Sequence, residues 1–557
     1  MTRIRRLVRL VAVVLLASVG ILIVALAATQ TRWFKDWLAR YVTREAERYL
    51  NGQLLVSRLD GNLLTGVQLQ KIRLVQNGES VVTADDLHID YSLLDLIAHG
   101  IVIDEISIVR PIVRLRRDAS GWNVSHLVKE QAAEADREGP GRPIQISTIG
   151  IADGLVEIDD RTAHDAQAPR LPRRVARLDF KGAFSYQPVN FTLTVGHLSF
   201  RGERPSLALN SLSGVVSVRG DDVHFENVSV RTADSSLQAT GMVRNYLRTP
   251  DARLTVTSDR LTLHEFAPIV PQLDGVDLHP AFELAVAGPM NTLRTDLDLR
   301  SEAGSLKGHV TADVMSPRRS IKGELQAANF DSSRAMATLP PTRVNGRATF
   351  DVVVNEDETL HGTTEVRLEN AAAAGYLVDR LDANAQLLGD RATVDARARA
   401  YGASATARGT VRLPIAGRKT LAYDLSGRAD HVNANRLPRS TGVPRLSSDV
   451  SASYRARGEG GRLTVDATFD QSTVEGVVVQ DNTTAHVEIE GRRLAYAANG
   501  GVANVNPRRL GDALGLPALR DTRLDGDLDA TFSIEGSGRT ASRIGRHVDA
   551  RKLSDWE

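Results

Sequence analysis

Cysteine is absent from all 557 residues, which excludes disulfides, thiolate zinc sites, iron–sulfur clusters and cysteine nucleophiles together. Aromatic residues make up only 5% of the chain, little material for several tightly packed cores. Net charge is nearly missing as well: Lys+Arg 69 against Asp+Glu 68 leave +1, so no overall field draws the chain to nucleic acid. Lysine supplies only eight of those 69 cations. Catalytic signatures are missing too. The 13 histidines contain no His-Glu-x-x-His, and His264-Glu265 lacks the second histidine. No Gly-x-Ser-x-Gly elbow occurs. Gly417-Arg-Lys-Thr420 has neither the residue order nor the upstream glycine of a phosphate loop and reads as a turn. The neighbouring carboxylates Asp85-Asp86, Asp159-Asp160 and Asp221-Asp222 would point to opposite faces of a strand, so they do not converge. The sequence therefore predicts no catalytic, cofactor-binding or metal-binding residue, no cofactor and no enzyme.

What is present begins with a hydrophobic run. Arg3, Arg5, Arg6 and Arg9 precede an uncharged segment from Leu10 to Ala28 that includes Leu15, Leu16, Ile21, Leu22, Ile23 and Leu26. At about 1.5 Å per residue it covers roughly 28 Å, close to the hydrocarbon thickness of a bilayer. Basic residues on its amino-terminal side hold that end in the cytoplasm and export the remainder. A cleaved signal peptide is the alternative, because Ala25-Leu26-Ala27 has the small-x-small form of a cleavage site. The retained anchor is the preferred reading, since the run exceeds the usual signal-peptide core. Residues 33–50 carry Trp33, Trp37, Leu38, Tyr41, Val42 and Tyr49 at helical spacing, an amphipathic helix beside the membrane.

Beyond that point helical periodicity gives way to strict alternation over roughly five hundred residues. Val67-Gln-Leu69, Leu87-His-Ile89, Ile101-Val-Ile103, Ile106-Ser-Ile108, Leu193-Thr-Val195 and Leu284-Ala-Val286 are examples of half-buried strands with one apolar face. Two elements recur. In the first, a strand ends at Leu261, Phe330, Val432 or Val505, and a polar cap opens a short helical turn. The second is x-Ala-x-Gly-x-Val, at Gln238–Val243 and Thr406–Val411, with a looser copy at Leu306–Val310. At about 12–15 residues per strand and turn the chain holds roughly 35–45 strands, and at ~4.8 Å spacing they would stack to about 170–215 Å. One-faced strands with almost no helices to cover them leave two solutions: stacked sandwiches, or one sheet curling around an apolar interior. Small residues such as Ala396, Ala398, Ala400, Ala405 and Ala407 would leave a curled interior incompletely filled, which suits acyl chains.

The succession in residues 51–115, with Gly61-Asn-Leu-Leu-Thr-Gly66-Val-Gln-Leu-Gln-Lys-Ile-Arg-Leu74, then Val82-Thr-Ala-Asp-Asp-Leu-His-Ile-Asp-Tyr91, then Leu93-Leu-Asp-Leu96 and Ile101–Leu115, resembles the amino-terminal part of the AsmA-like superfamily, and within it the TamB family. The resemblance implies a mostly β protein: an N-terminal transmembrane helix followed by a long, curled, repetitive β-sheet forming a groove, with a few short helices. It implies an inner-membrane, single-pass protein with its bulk in the periplasm of a Gram-negative-type bacterium. The implied function is carriage of phospholipids between inner and outer membranes, or support of outer-membrane protein assembly and secretion, with an outer-membrane β-barrel of the TamA type as partner. The groove lining would include Val67, Leu69, Leu87, Ile89, Ile101, Ile103, Ile106, Ile108, Leu193, Val195, Leu284 and Val286. Relatives of this kind are usually far longer and end in a β-rich domain, whereas alternation here stops after Ile534; a truncated product or a short relative would both fit, and the docking partner is in question for that reason. The expected divisions are 1–9 basic, 10–28 anchor, 29–50 amphipathic helix, 51–126 the amino-terminal β-unit, 127–143 a charged helix or linker, 144–536 repetitive groove units and 537–557 an irregular polar tail. The rival reading is a scaffold or chaperone of the envelope built from stacked sandwiches that hold no lipid.

Overall fold

The computed structural model describes residues 31, 34, 36–37, 40, 43–44, 47, 50–62, 65–92, 95, 101–118, 121–127, 143–162, 169–415, 417, 420–441, 443, 445–491, 493–514, 526–538 and 544–545. The anchor residues Leu10, Leu15, Leu16, Ile21, Leu22, Ile23 and Leu26 and most of the charged segment 127–143 lie outside them. Among the described residues no helix is long and apolar enough to cross a membrane. Phe34, Asp36, Trp37, Arg40, Thr43, Arg44 and Glu47 are helical, and the Phe34 and Trp37 rings stand 5.4 Å apart, as the helical spacing predicts.

The protein is mostly β, with thirty-two strand segments and a few short helical turns among the described residues. The chain divides into two compact units, one up to Glu283 and one from Leu284, a boundary the sequence reading did not draw. Each unit is largely an antiparallel meander in which most strands pair with their neighbours in the chain, although Arg462–Phe469, for example, pairs with Thr484–Glu490 rather than with the strand that follows it. In the first unit the strands Ile101–Val109 and Ile112–Asp118 both run antiparallel to Glu79–Asp90 and parallel to Ile144–Asp160. Parallel neighbours need a crossover rather than a tight turn, and residues 119–143 supply the length.

Strands are longer than the short alternating runs suggest. Val67-Gln-Leu69 and Ile72-Arg-Leu74 belong to one strand, Gly66–Gln76; Val223-His-Phe225 and Val228-Ser-Val230 share Asp222–Thr232. The reason is a left-handed residue within the strand. Asn227 (φ 49) takes a left-handed conformation at a register shift that adds one residue, shifts the alternation by one and lets the same face continue; Lys71 (φ 52) takes the same conformation where the pairing skips one residue on both strands. A period-2 reading treats that shift as a strand end. At the other terminus Ile544–Gly545 pairs with Glu535–Gly536, so pairing extends into the segment expected to be an irregular tail.

The recurring helical turns are present where the sequence places them. Three follow Phe330, Val432 and Val505 as Ser332–Ala335, Ala434–Arg436 and Pro507–Leu514. Asn329, His431 and Asn504, each one residue earlier than those strand ends, have φ of 51°, 59° and 59°. The following polar residue caps the turn: Asp331 accepts from the Ser333 amide at 3.1 Å, Asn433 from the Asn435 amide at 3.0 Å and Asn506 from the Arg509 amide at 3.1 Å. The fourth turn, Leu263–Phe266, follows the strand Asp251–Arg260, and Glu265 accepts from Thr232 Oγ1 (2.6 Å), the Ala233 amide (2.9 Å) and Ser235 Oγ (2.8 Å).

Candidate functional site

Cross-strand partners share a face of a sheet, so the pairing registers show what each face is made of. In the first unit one row reads Ile103, Ile146, Phe184, Leu193, Val216, Phe225, Gly241 and Leu254. A second runs Leu59, Leu69, Leu87, Ile108, Ile151, Phe180, Leu198, Leu212, Val230 and Leu237. In the second unit a row of fourteen strands runs Leu297, Gly308, Leu325, Ala348, Val366, Ala383, Ala396, Ala407, Gly427, Tyr454, Ala467, Ala485, Ala498 and Ile534. No charged residue interrupts any of the three.

These rows are half-buried rather than closed off. Fully buried apolar residues among the described ones number only thirteen, including Leu59, Leu74, Val218, Leu387 and Ala452, and most stand at strand ends or row edges. Between two stacked sheets the interior rows would be sealed from solvent. Here Ile146, Phe184, Leu193, Val216 and Phe225 all keep part of their surface accessible.

Of the residues expected to line a groove, Val67, Leu69, Leu87, Ile89, Ile103, Ile106, Ile108, Leu193 and Val195 are half-buried and fall on this face. Ile101, the first residue of its strand, pairs with Ile144 but is 39% exposed. Leu284 and Val286 are half-buried at alternate positions of the strand Ala281–Pro289.

The recurring x-Ala-x-Gly-x-Val element has a structural meaning that its spacing alone did not disclose. Gly241, Gly308 and Gly409 have φ of 143°, 157° and 153°, a conformation open to glycine alone. A Cβ there would strike the carbonyl oxygens of Arg253, Glu324 and Asp424. Each lies opposite a leucine, Leu254, Leu325 or Leu425, and Gly346 and Gly362 repeat the arrangement with Leu368 and Leu387. Glycine kinks of this kind, with bulges, are how a sheet is made to curve. Three tyrosines, Tyr423, Tyr454 and Tyr496, cover Gly458, Gly427 and Gly536 on adjacent strands, and the Tyr454 hydroxyl donates to the Thr406 carbonyl at 2.8 Å. The tyrosine partners were not anticipated; a tyrosine opposite a glycine one strand away would have been the signal, and it needs the register.

The opposite face is charged and internally paired. Arg455 forks onto Asp424 at 2.9 and 2.7 Å, Arg408 meets Asp395 at 3.0 Å, and Arg347 meets Glu324 at 3.1 Å. The Arg455 hydrogen bonds hold Asp424 below the usual carboxylate range, as Arg380 does for Asp382 and Lys307 for Asp298. The neighbouring carboxylates are claimed separately: Asp85 by Arg110 at 2.7 Å, Asp86 by Gln68 at 2.8 Å, and Asp159 by Arg161 at 2.8 Å. Among the described residues no group of three or more His, Asp or Glu gathers to hold a metal.

The face-sorted sheet is thus the candidate site, an apolar surface backed by an ionic lattice. In comparisons with known proteins, no family model, no curated protein and no solved structure matches this chain.

Proposed function

We propose that this chain is a membrane-anchored, periplasmic β-groove protein of the TamB-like kind that carries phospholipids between inner and outer membranes or supports outer-membrane protein assembly. In this reading the sheet curls around its apolar face, residues 10–28 form the anchor, and an outer-membrane β-barrel receives the cargo. The observation that carries the proposal is the set of charge-free rows crossing up to fourteen strands while remaining half-exposed. An apolar surface of that extent is unfavourable in water at about 25 cal/mol per Å², and extended surfaces of this kind mark interaction sites. Acyl chains fit because these rows offer apolar contact, and their one hydroxyl, that of Tyr454, is already spent on the Thr406 carbonyl. Gly241, Gly308, Gly346, Gly362 and Gly409 supply the bending that a groove requires. The scaffold of stacked sandwiches is less well supported, because its interior rows would be sealed.

The test is native mass spectrometry of the full chain in mild detergent, followed by lipid extraction. Co-purifying phospholipid that photo-crosslinks to a reactive residue at Ile108 is the expected result. Protein that retains no lipid, and no crosslink at Ile108 in intact cells, would overturn the reading.

A further inference from the structure

The polar face of the first unit holds a cavity of about 660 Å³ that the apolar surface does not explain. Five arginines line it: Arg114, Arg116, Arg173, Arg174 and Arg204. They come from positions far apart in the chain and are gathered by register, since Arg116 lies opposite Asp159, Arg174 opposite Glu157, and Glu203 opposite Arg174. The Arg173 amide donates to the Arg204 carbonyl at 3.1 Å, which places those two residues side by side.

The four carboxylates of the lining are already engaged. Arg114 holds Glu157 at 3.0 Å, Arg116 holds Glu79 at 2.8 Å and approaches Asp159 at 3.8 Å, and Arg174 holds Glu203 at 3.5 Å. Among the described residues Arg173 and Arg204 have no ion-pair partner. Arg116 Nε is closed off from solvent and has no hydrogen-bond acceptor; its 3.8 Å separation from Asp159 is too long for one. That donor is out of reach of anything entering the cavity, so the cations left to meet an anion there are Arg173 and Arg204. Guanidinium groups present paired donors that match phosphate oxygens.

We propose that this cavity is a binding site for a phosphate-bearing anion, held by Arg173 and Arg204. The assignment stands independently of what covers the apolar face. Phosphate could arrive free or as a lipid headgroup, and two probes separate these sources: inorganic phosphate and dihexanoyl phosphatidic acid, each titrated calorimetrically into the full chain in detergent at low salt. Saturable binding is expected, weakened at least tenfold in Arg173→Gln/Arg204→Gln, because charge-assisted hydrogen bonds are the stronger class. Phosphatidic acid binding ten times tighter than phosphate identifies a headgroup site, and equal affinities identify a free-phosphate site. Both side chains are exposed, so the double variant should melt with the wild type. Glu203→Gln, which keeps every arginine and frees Arg174, should tighten binding severalfold. No saturable binding of either probe, equal binding by wild type and double variant, or no tightening in Glu203→Gln would overturn the site.

Discussion

The two units share one architecture and differ in lining. The first presents Ile103, Ile146, Phe184, Leu193, Val216 and Phe225 along a single row, large side chains that touch one another across strands. Between Leu381 and Ala452 the second presents Ala383, Ala396, Ala407 and Gly427 on one row and Ala398, Ala405, Ala429 and Ala452 on the next. Apolar contact stabilises the first unit at about 0.8 kcal/mol per buried methylene, whereas alanine and glycine contribute little of that. The second unit depends more on its backbone ladder and on the ionic lattice behind it. Exposed pairs in such a lattice are worth about 0–1 kcal/mol each. Side-chain bulk and free space are therefore traded within one fold: the first unit carries larger side chains on its rows, and the second leaves more room on its apolar face.

The comparison breaks most sharply at Ile106. Ile106→Asp places a carboxylate on a charge-free row and should cost about 2–4 kcal/mol if the row is dry. We expect a shifted urea midpoint, retained protease resistance and loss of lipid crosslinking at Ile108. Ser107→Asp, on the opposite face, should stay within about 0.5 kcal/mol. Equal effects of the two would refute the sorting of faces.

Gly409→Ala tests the kink in the second unit. The alanine would be strained by φ 153° and would meet the Asp424 carbonyl, so a loss of about 1–3 kcal/mol is expected. Gly78 has φ 82° and open space around a Cβ, and Gly78→Ala isolates the backbone strain alone. Urea unfolding of both variants separates clash from strain, and a Gly409→Ala loss no larger than that of Gly78→Ala would remove the kink's steric role.

Acid should loosen the second unit first. Asp298, Asp313, Asp331, Asp357, Asp382, Asp424 and Asp466 are held below the usual carboxylate range, chiefly by side-chain hydrogen bonds, and all seven belong to that unit. A depressed carboxylate contributes stability that is present above its unfolded pKa and lost as pH falls through the folded one. Hydrogen exchange compared at pH 7 and pH 3 should show protection falling earlier after Leu284 than before it. Simultaneous loss in both units would remove this distinction.

The smallest effect is expected from filling space. Ala407→Leu adds a side chain to a half-exposed position and should change stability by less than about 1 kcal/mol. If the second unit holds bulkier cargo, the variant should retain less lipid by mass spectrometry at unchanged stability. Unaltered lipid content would mean that the alanines are not a lining.

Much of this molecule is legible in the chain because its information is local. Alternation such as Leu297-Asp-Leu299 assigns each side chain to a face whatever its neighbours are, since successive Cβ atoms point to opposite sides. The helical turns after Phe330, Val432 and Val505 were readable for the same reason: cap and turn lie within a few residues of each other. The glycine repeat was visible as a pattern, but not as a kink.

The sequence by itself therefore determined that the strands have two unlike faces, that one face is predominantly apolar, and where the meander is punctuated. Tertiary structure decided what depends on register. It joined short alternating runs into long strands through a left-handed residue at Lys71 and a bulge at Asn227, set Ile101–Val109 parallel to Ile144–Asp160, and brought Arg114, Arg116, Arg173, Arg174 and Arg204 around one cavity. Face assignment follows from a period of two along one chain, whereas a hydrogen-bonded partner lies on another strand, and a bulge of a single residue changes which side chains meet.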